Sequence, residues 1–172
     1  MLIPTPEPTE LSEYYQSYLK EYNGSDMLKD LIEQRDATQK FLQSISPEKE
    51  TYKYAEGKWS IREVVGHLSD TERILSYRAL RFARKDKTPL PGFEENEYTL
   101  HSNYHVRTLI SIADEILSVR NASITLFSNM SEKMMEQTGS ANNNPVSVKA
   151  MLFFIIAHQL HHLNIVRERY LK

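Results

Sequence analysis

The stretch Val148-Lys-Ala-Met151-Leu-Phe-Phe-Ile155-Ile-Ala-His158-Gln-Leu-His161-His162-Leu-Asn-Ile165 decides the fold. Within it Val148, Met151, Ile155, His158, His162 and Ile165 recur at steps of three and four, the period that lays side chains along one face of an α-helix. The apolar run inside it, Ala150 to Ala157, is about a third of what a membrane-spanning helix needs. Asn144 and Pro145 read as a cap and first helical residue. Arg167, Arg169 and Lys172 supply cations where the end of a helix dipole favours them. The spacing therefore predicts a helix over about 146–171.

Working outward, the same period runs through Leu109, Ile112, Ala113, Ile116, Val119, Arg120, Ile124 and Phe127, predicting a helix over 101–132. A further helix over 60–86 opens with Ser60, a good N-cap, and Glu63 three residues later completes a capping box. Trp59 and Val64 can add a hydrophobic staple. Residues 26–46 form another segment of helical character, and a short helix around 9–22 precedes it. Proline and glycine punctuate the rest: Pro4, Pro6, Pro8, Gly24, Pro47, Gly57, Pro89, Pro91, Gly92, Gly139 and Pro145. Alternating strand-like runs joined by hairpin turns are not apparent. The expected fold is all-α: an antiparallel four-helix bundle over 26–172, with an N-terminal extension over 1–25 carrying the short helix. The connections 45–59 and 87–100 exceed ordinary bundle loops and are expected to cap one end.

The 172 residues suit one domain. The chain carries 21 Lys+Arg against 23 Asp+Glu, a formal net charge of −2, so there is no basic footprint for nucleic acid. It contains no cysteine, which excludes disulfides, Cys-ligated zinc and a protein thiol nucleophile. Any metal must sit on His, carboxylate or water, and any sulfur chemistry needs a thiol from outside. The N-terminus has neither the basic nor the apolar stretch of a signal peptide, so a soluble cytoplasmic protein is expected.

Histidines fall where the bundle should bury hydrocarbon. His158 and His162, four apart, stack on one helical face and suit two ligands of one ion. His67 lies on the line Val64, His67, Thr71, Ile74 of the second helix. If that helix faces the last one, His67 can complete a three-nitrogen site with open positions for water or substrate. The bland alternative is three structural histidines that do not converge. Gly66, inside a helix beside His67, implies either a close approach or a cavity. His161 reads as pocket rim or outer support. The zinc-protease pattern H-E-x-x-H is absent, and neither His67 nor His158 has the glutamate three residues earlier that a di-iron bundle requires.

Other side chains are candidates for supporting roles. Asp70 or Glu72 could orient a ligand imidazole, the alternative for Asp70 being surface pairing with Arg73 or Arg78. Arg78 could point into the bundle and hold a substrate carboxylate, or pair with an acid such as Glu115. Glu97 and Tyr98, in a long loop with Phe93, Glu94, Glu95 and Asn96, are candidates for catalytic base and lid. Tyr14, Tyr15, Tyr18 and Tyr22 read as packing or a dimer contact. Met130, Met134 and Met135 read as core at a helix end.

Three stretches together resemble the DinB-like (YfiT-like) metalloenzyme superfamily: Trp59-Ser-Ile-Arg-Glu-Val-Val-Gly-His67-Leu-Ser-Asp70, Pro89-Leu-Pro-Gly-Phe-Glu-Glu-Asn-Glu-Tyr98 and Ala157-His-Gln-Leu-His-His-Leu163. The resemblance implies an up-down-down-up bundle, a divalent ion, nickel or zinc, held by His67, His158 and His162, and a homodimer. Relatives of this kind include S-transferases that use low-molecular-weight thiols and a mycothiol-dependent isomerase. The activity it implies is that of a metal-dependent enzyme with a small-molecule substrate, either a thiol-dependent S-transferase or a hydrolase. The alternative is a bundle that binds metal or a small ligand without turnover. No nucleic-acid or membrane partner is expected.

Overall fold

The computed structural model describes residues 2–172. Four long helices form a bundle: α2 (Met27–Gln43), α3 (Ile61–Ala83), α5 (Leu109–Ser128) and α7 (Val148–Ile165), the last continued by a π-helical turn over Val166–Tyr170. Three short helices accompany them, α1 (Glu13–Gln16), α4 (Glu95–Leu100) and α6 (Glu132–Met135). Each long helix starts on a side-chain cap that satisfies an orphan backbone N–H: Asp26, Ser60, Thr108 and Ser147. The Ser60–Glu63 capping box forms as its spacing predicts.

Three elements differ from the sequence reading. Pro145 does not open the last helix. It lies in β2 (Asn144–Ser147), which pairs antiparallel with β1 (Thr138–Ala141). Asn142 and Asn143 make the two-residue turn, with φ of 51° and 61°, a conformation that asparagine tolerates and a tight hairpin demands. Strands of four residues are too short to show alternation, so the hairpin is invisible to periodicity. The third helix begins at Leu109 rather than near 101. The expected helix over 9–22 is a 3-10 turn, Pro8–Glu10, followed by the single turn of α1.

The helices run up-down-down-up. Gln34 donates to the Ile156 carbonyl and Gln159 to Thr38, so α2 and α7 ascend together. Glu72 meets Arg120 and Ser76 meets Ser123, so α3 and α5 also run in parallel. The Tyr170 hydroxyl reaching the Trp59 carbonyl at 2.8 Å sets α7 antiparallel to α3. Parallel neighbours require the chain to return along the bundle between them. The connection from α3 to α5 therefore does not merely cap an end. Leu90 bridges to Ala141 of the hairpin, and Tyr104 packs back at Gly66, near the start of α3.

α7 is buried almost all round from Ala150 to Gln159, more than a one-stripe helix requires. The N-terminal extension covers the side the bundle leaves open. Tyr15 stacks on Phe154 with ring centroids 4.4 Å apart, Tyr22 contacts Phe153, and Ile3 and Leu11 join the same core. Met130 and Met135 are buried in that core, with Met134 packed against it. A second apolar cluster fills the other end around Ile61, Leu109 and Val166. Between the clusters lies a polar waist built from Gln34, Thr38, Glu72, Arg120, Gln159 and the histidines.

Candidate metal centre

His67 projects from α3 and His158 and His162 from α7, so the antiparallel packing of those helices joins the three rings. His158 Nε2 lies 3.2 Å from His67 Nε2 and 3.1 Å from His162 Nε2. One nitrogen from each ring falls within 4.8 Å of the other two. Nitrogens bound to one ion at about 2.0–2.2 Å stand about 2.8–3.6 Å apart in octahedral or tetrahedral geometry, and two of the three separations match. A neutral imidazole carries only one N–H, so His158 Nε2 cannot be satisfied by both neighbours through hydrogen bonds alone. The donor set fits a divalent cation.

The surroundings keep these rings neutral. Burial pushes the His67 imidazolium down to about 4 and the His162 imidazolium to about 3. His158 falls well below the usual range, first through burial and then through its histidine neighbours. Lone pairs are thus available at neutral pH. Trp59 lies against the His67 ring at 4.8 Å between centroids, and the Thr71 hydroxyl is 3.5 Å from His67 Nδ1. Thr71 lies on the stripe read from sequence, but nothing there distinguished it as a partner of the ring. Trp59 had shown only its staple role.

The three histidines open onto a pocket of about 880 Å³. Tyr14, Tyr15 and Tyr18 of the N-terminal extension pack on Phe154 and line it together, while Asn142 and Asn144 of the hairpin and Phe93 and Glu95 border it as well. Arg78 lines it as well, buried, with Nη2 donating to the Pro91 carbonyl. His161 is half-buried at its edge, 3.1 Å from Glu21 and beside Tyr18.

The structure places other candidates elsewhere. Glu97 and Tyr98 do not line this pocket. Residues 95–100 form a helix rather than a loop, so Glu97 turns about 200° away from Glu95. Glu97 instead borders a separate groove of about 320 Å³ on the other side of Trp59, and Tyr98 is exposed against Phe93. The acid of this segment that reaches the pocket is Glu95, which the sequence did not single out. Neither Asp70 nor Glu72 hydrogen-bonds to any of the three imidazoles. Asp70 accepts from the Tyr104 hydroxyl at 2.9 Å, and Glu72 is committed to Arg120. Glu115 pairs with Arg73 and Arg107 rather than Arg78.

A family model described as the DinB superfamily matches residues 30–166. The chain belongs to the DinB superfamily. A relative from Oceanobacillus iheyensis, named "Putative metal-dependent hydrolase", is 25% identical over 126 residues, 71% of this chain and 70% of its own. Among solved structures, YfiT of Bacillus subtilis, described as a probable metal-dependent hydrolase with an unusual four-helix bundle topology, superposes with a TM-score of 0.70 at 12% identity. That match covers 96% of this DinB-superfamily chain and 91% of YfiT. A mycothiol-dependent maleylpyruvate isomerase gives 0.65 at 12% identity, over 80% of this chain and 58% of its own. A DinB-like protein of Bacillus subtilis gives 0.60 at 16% identity, over 82% and 86%. At these identities the structural likenesses show the fold.

Proposed function

We propose that this DinB-superfamily chain is a metal-dependent enzyme acting on a small molecule, with a divalent ion, zinc or nickel, held by His67, His158 and His162. The observation that carries this reading is the convergence of three neutral imidazole nitrogens on the wall of an 880 Å³ pocket. When bound, such an ion lowers the pKa of a coordinated water or thiol and so supplies a nucleophile near neutral pH. The chain's own residues hold and desolvate that ion, and Trp59 and Thr71 fix the ring of His67. The tyrosine wall leaves room for an organic co-substrate.

The nucleophile we favour is an external thiol, which makes the enzyme an S-transferase. The acids that border the pocket, Glu13 and Glu95, are exposed, and no carboxylate among the described residues joins the histidine cluster. With no carboxylate beside the histidines to take a proton from water, a thiol, far more acidic than water and deprotonated outright when coordinated, is the nucleophile that needs least help from the chain. Hydrolysis is the second reading, favoured by the names of the Oceanobacillus relative and of YfiT. The enzyme is read as a cytoplasmic homodimer with no nucleic-acid or membrane partner. No helix among the described residues is long and apolar enough to cross a membrane.

The test uses protein purified without a polyhistidine tag, metal-free or loaded with zinc or nickel. Several small thiols are offered with monobromobimane as acceptor, and a nitrophenyl ester is offered without thiol. Metal-dependent thiol consumption, lost in His158→Ala while the fold persists, supports the transferase. Metal-dependent ester cleavage alone moves the assignment to hydrolysis. Tight metal binding with neither reaction leaves a binding protein, and failure to bind metal removes the reading.

A further inference from the structure

His67, Thr71, Leu75 and Arg78 follow one another along a single face of α3, and all four line the pocket. His67 and Arg78 are eleven positions apart, three helical turns, so their backbones stand about 16 Å apart along the axis. The pocket is therefore a trough with imidazoles at one end and a guanidinium at the other. Between them, beyond Thr71, lie the apolar and aromatic side chains of Leu75, Tyr15 stacked on Phe154, and Phe93, whose ring is 5.9 Å from the Arg78 guanidinium, with Asn142 and Asn144 on the hairpin border.

The contrast between the two buried arginines is informative. Arg120 meets Glu72 through two hydrogen bonds and also donates to Gln34 and Gln159. Arg78 is only 8% exposed, yet among the described residues no carboxylate oxygen lies within 4.0 Å of it. One of its five N–H groups has a protein acceptor, the Pro91 carbonyl at 2.6 Å. A guanidinium withdrawn from water without a counter-charge is unfavourable unless something else supplies the charge. Tyr15, which lines the same pocket from α1, is a phenol rather than an acid. The acids on the same pocket, Glu13 and Glu95, are exposed to solvent.

We propose that the pocket takes an elongated organic anion whose carboxylate is bound by Arg78, three helical turns from the histidine end. Its middle is apolar, matching the aromatic walls, and its reacting group lies at the imidazoles. The identity of the reacting end rests on the metal-enzyme reading above; the anionic end does not. Arg78 is thus a specificity-determining residue. A purely structural Arg78, tying α3 to the Pro91 loop, would show no preference among ligands by charge.

Two pairs of probes separate these roles. Metal-free protein is titrated with octanoate and with octanamide. Zinc-loaded protein is titrated with suberic acid monohydroxamate and with octanohydroxamate, which share the zinc-binding head and differ in the terminal carboxylate. Wild type should prefer each carboxylate by about tenfold or more, the value of a charge-assisted hydrogen-bond pair. Arg78→Met should erase both preferences while leaving affinity for the neutral probes and zinc stoichiometry unchanged. Arg78→Lys, which keeps the charge but not the planar fork, should keep part of the preference. Equal affinity for octanoate and octanamide in wild type overturns the proposal without any variant. So does a preference that survives in Arg78→Met. If zinc does not bind, the metal-enzyme reading falls, and the octanoate comparison still decides Arg78.

Discussion

Gly66 lets the ring of Tyr104 lie directly on the backbone of α3: a Cβ at position 66 would fall 2.2 Å from that ring. The ring cannot easily retreat. It is buried, and its hydroxyl donates to Asp70 Oδ1, one turn further along the same helix. Gly66→Ala should gain about 1 kcal/mol of helix propensity and lose more to the overlap, since overpacking a fixed core commonly costs about 1–3 kcal/mol. We expect a net destabilisation in urea unfolding, partly recovered in the Gly66→Ala/Tyr104→Leu double variant. A Gly66→Ala protein more stable than wild type would show that the ring has room to move.

The convergence of His67, His158 and His162 predicts stabilisation by metal. An ion that binds only the folded chain at a hundredfold excess over its Kd adds about 2.7 kcal/mol, roughly 5–10 °C in Tm for a domain of this size. Zinc or nickel should raise the wild-type Tm by that order, measured by calorimetry over a metal titration. His162→Ala should abolish most of the increment. Parallel responses in the two proteins would locate the binding elsewhere.

Arg120 and Glu72 form a bidentate pair in the polar waist, with side chains 2% and 3% exposed. Removing the cation alone leaves a buried carboxylate uncompensated. Arg120→Met should therefore destabilise by about 3–5 kcal/mol, whereas Arg120→Met combined with Glu72→Leu should recover much of the loss. Denaturant midpoints of the four proteins of this cycle give the coupling. Simple additivity would contradict a paired origin.

These residues also mark what could be read from the chain in advance. The long helices were legible because their apolar positions repeat over many turns, and the convergence of His67, His158 and His162 because each sits on the inward stripe of its helix. The Asn142–Asn143 hairpin was not, since four-residue strands carry no usable period. Burial of α7 on its outer face was hidden as well. It depends on Tyr15 and Tyr22 folding back from the N-terminal extension, contacts more than a hundred residues apart. Glu95 and Glu97 show a finer limit. Composition placed acids near the pocket, but the segment reads as a loop, and only its folding into α4 decides that Glu95 faces the pocket and Glu97 does not.

Tyr170 and Tyr15 predict the behaviour of the fold in base. Burial pushes both phenols up to about 12. The Tyr170 hydroxyl also donates to the Trp59 carbonyl, a bond that ionisation destroys. An unfolded tyrosine ionises near pH 10. Below that both states are protonated and the stability is fully present; between about pH 10 and 12 the unfolded chain releases protons that the native chain retains, and stability falls. Two pKa units correspond to about 3 kcal/mol for each residue at most. Wild type should therefore lose its helical circular dichroism cooperatively in this window, together with the rise of phenolate absorbance. Tyr170→Phe should start less stable at neutral pH by about 1 kcal/mol, the value of one hydrogen bond, yet lose less of its remaining stability as the pH rises. Equal slopes of stability against pH for the two proteins would remove Tyr170 from this account and leave the alkaline transition to Tyr15 and the other buried phenols.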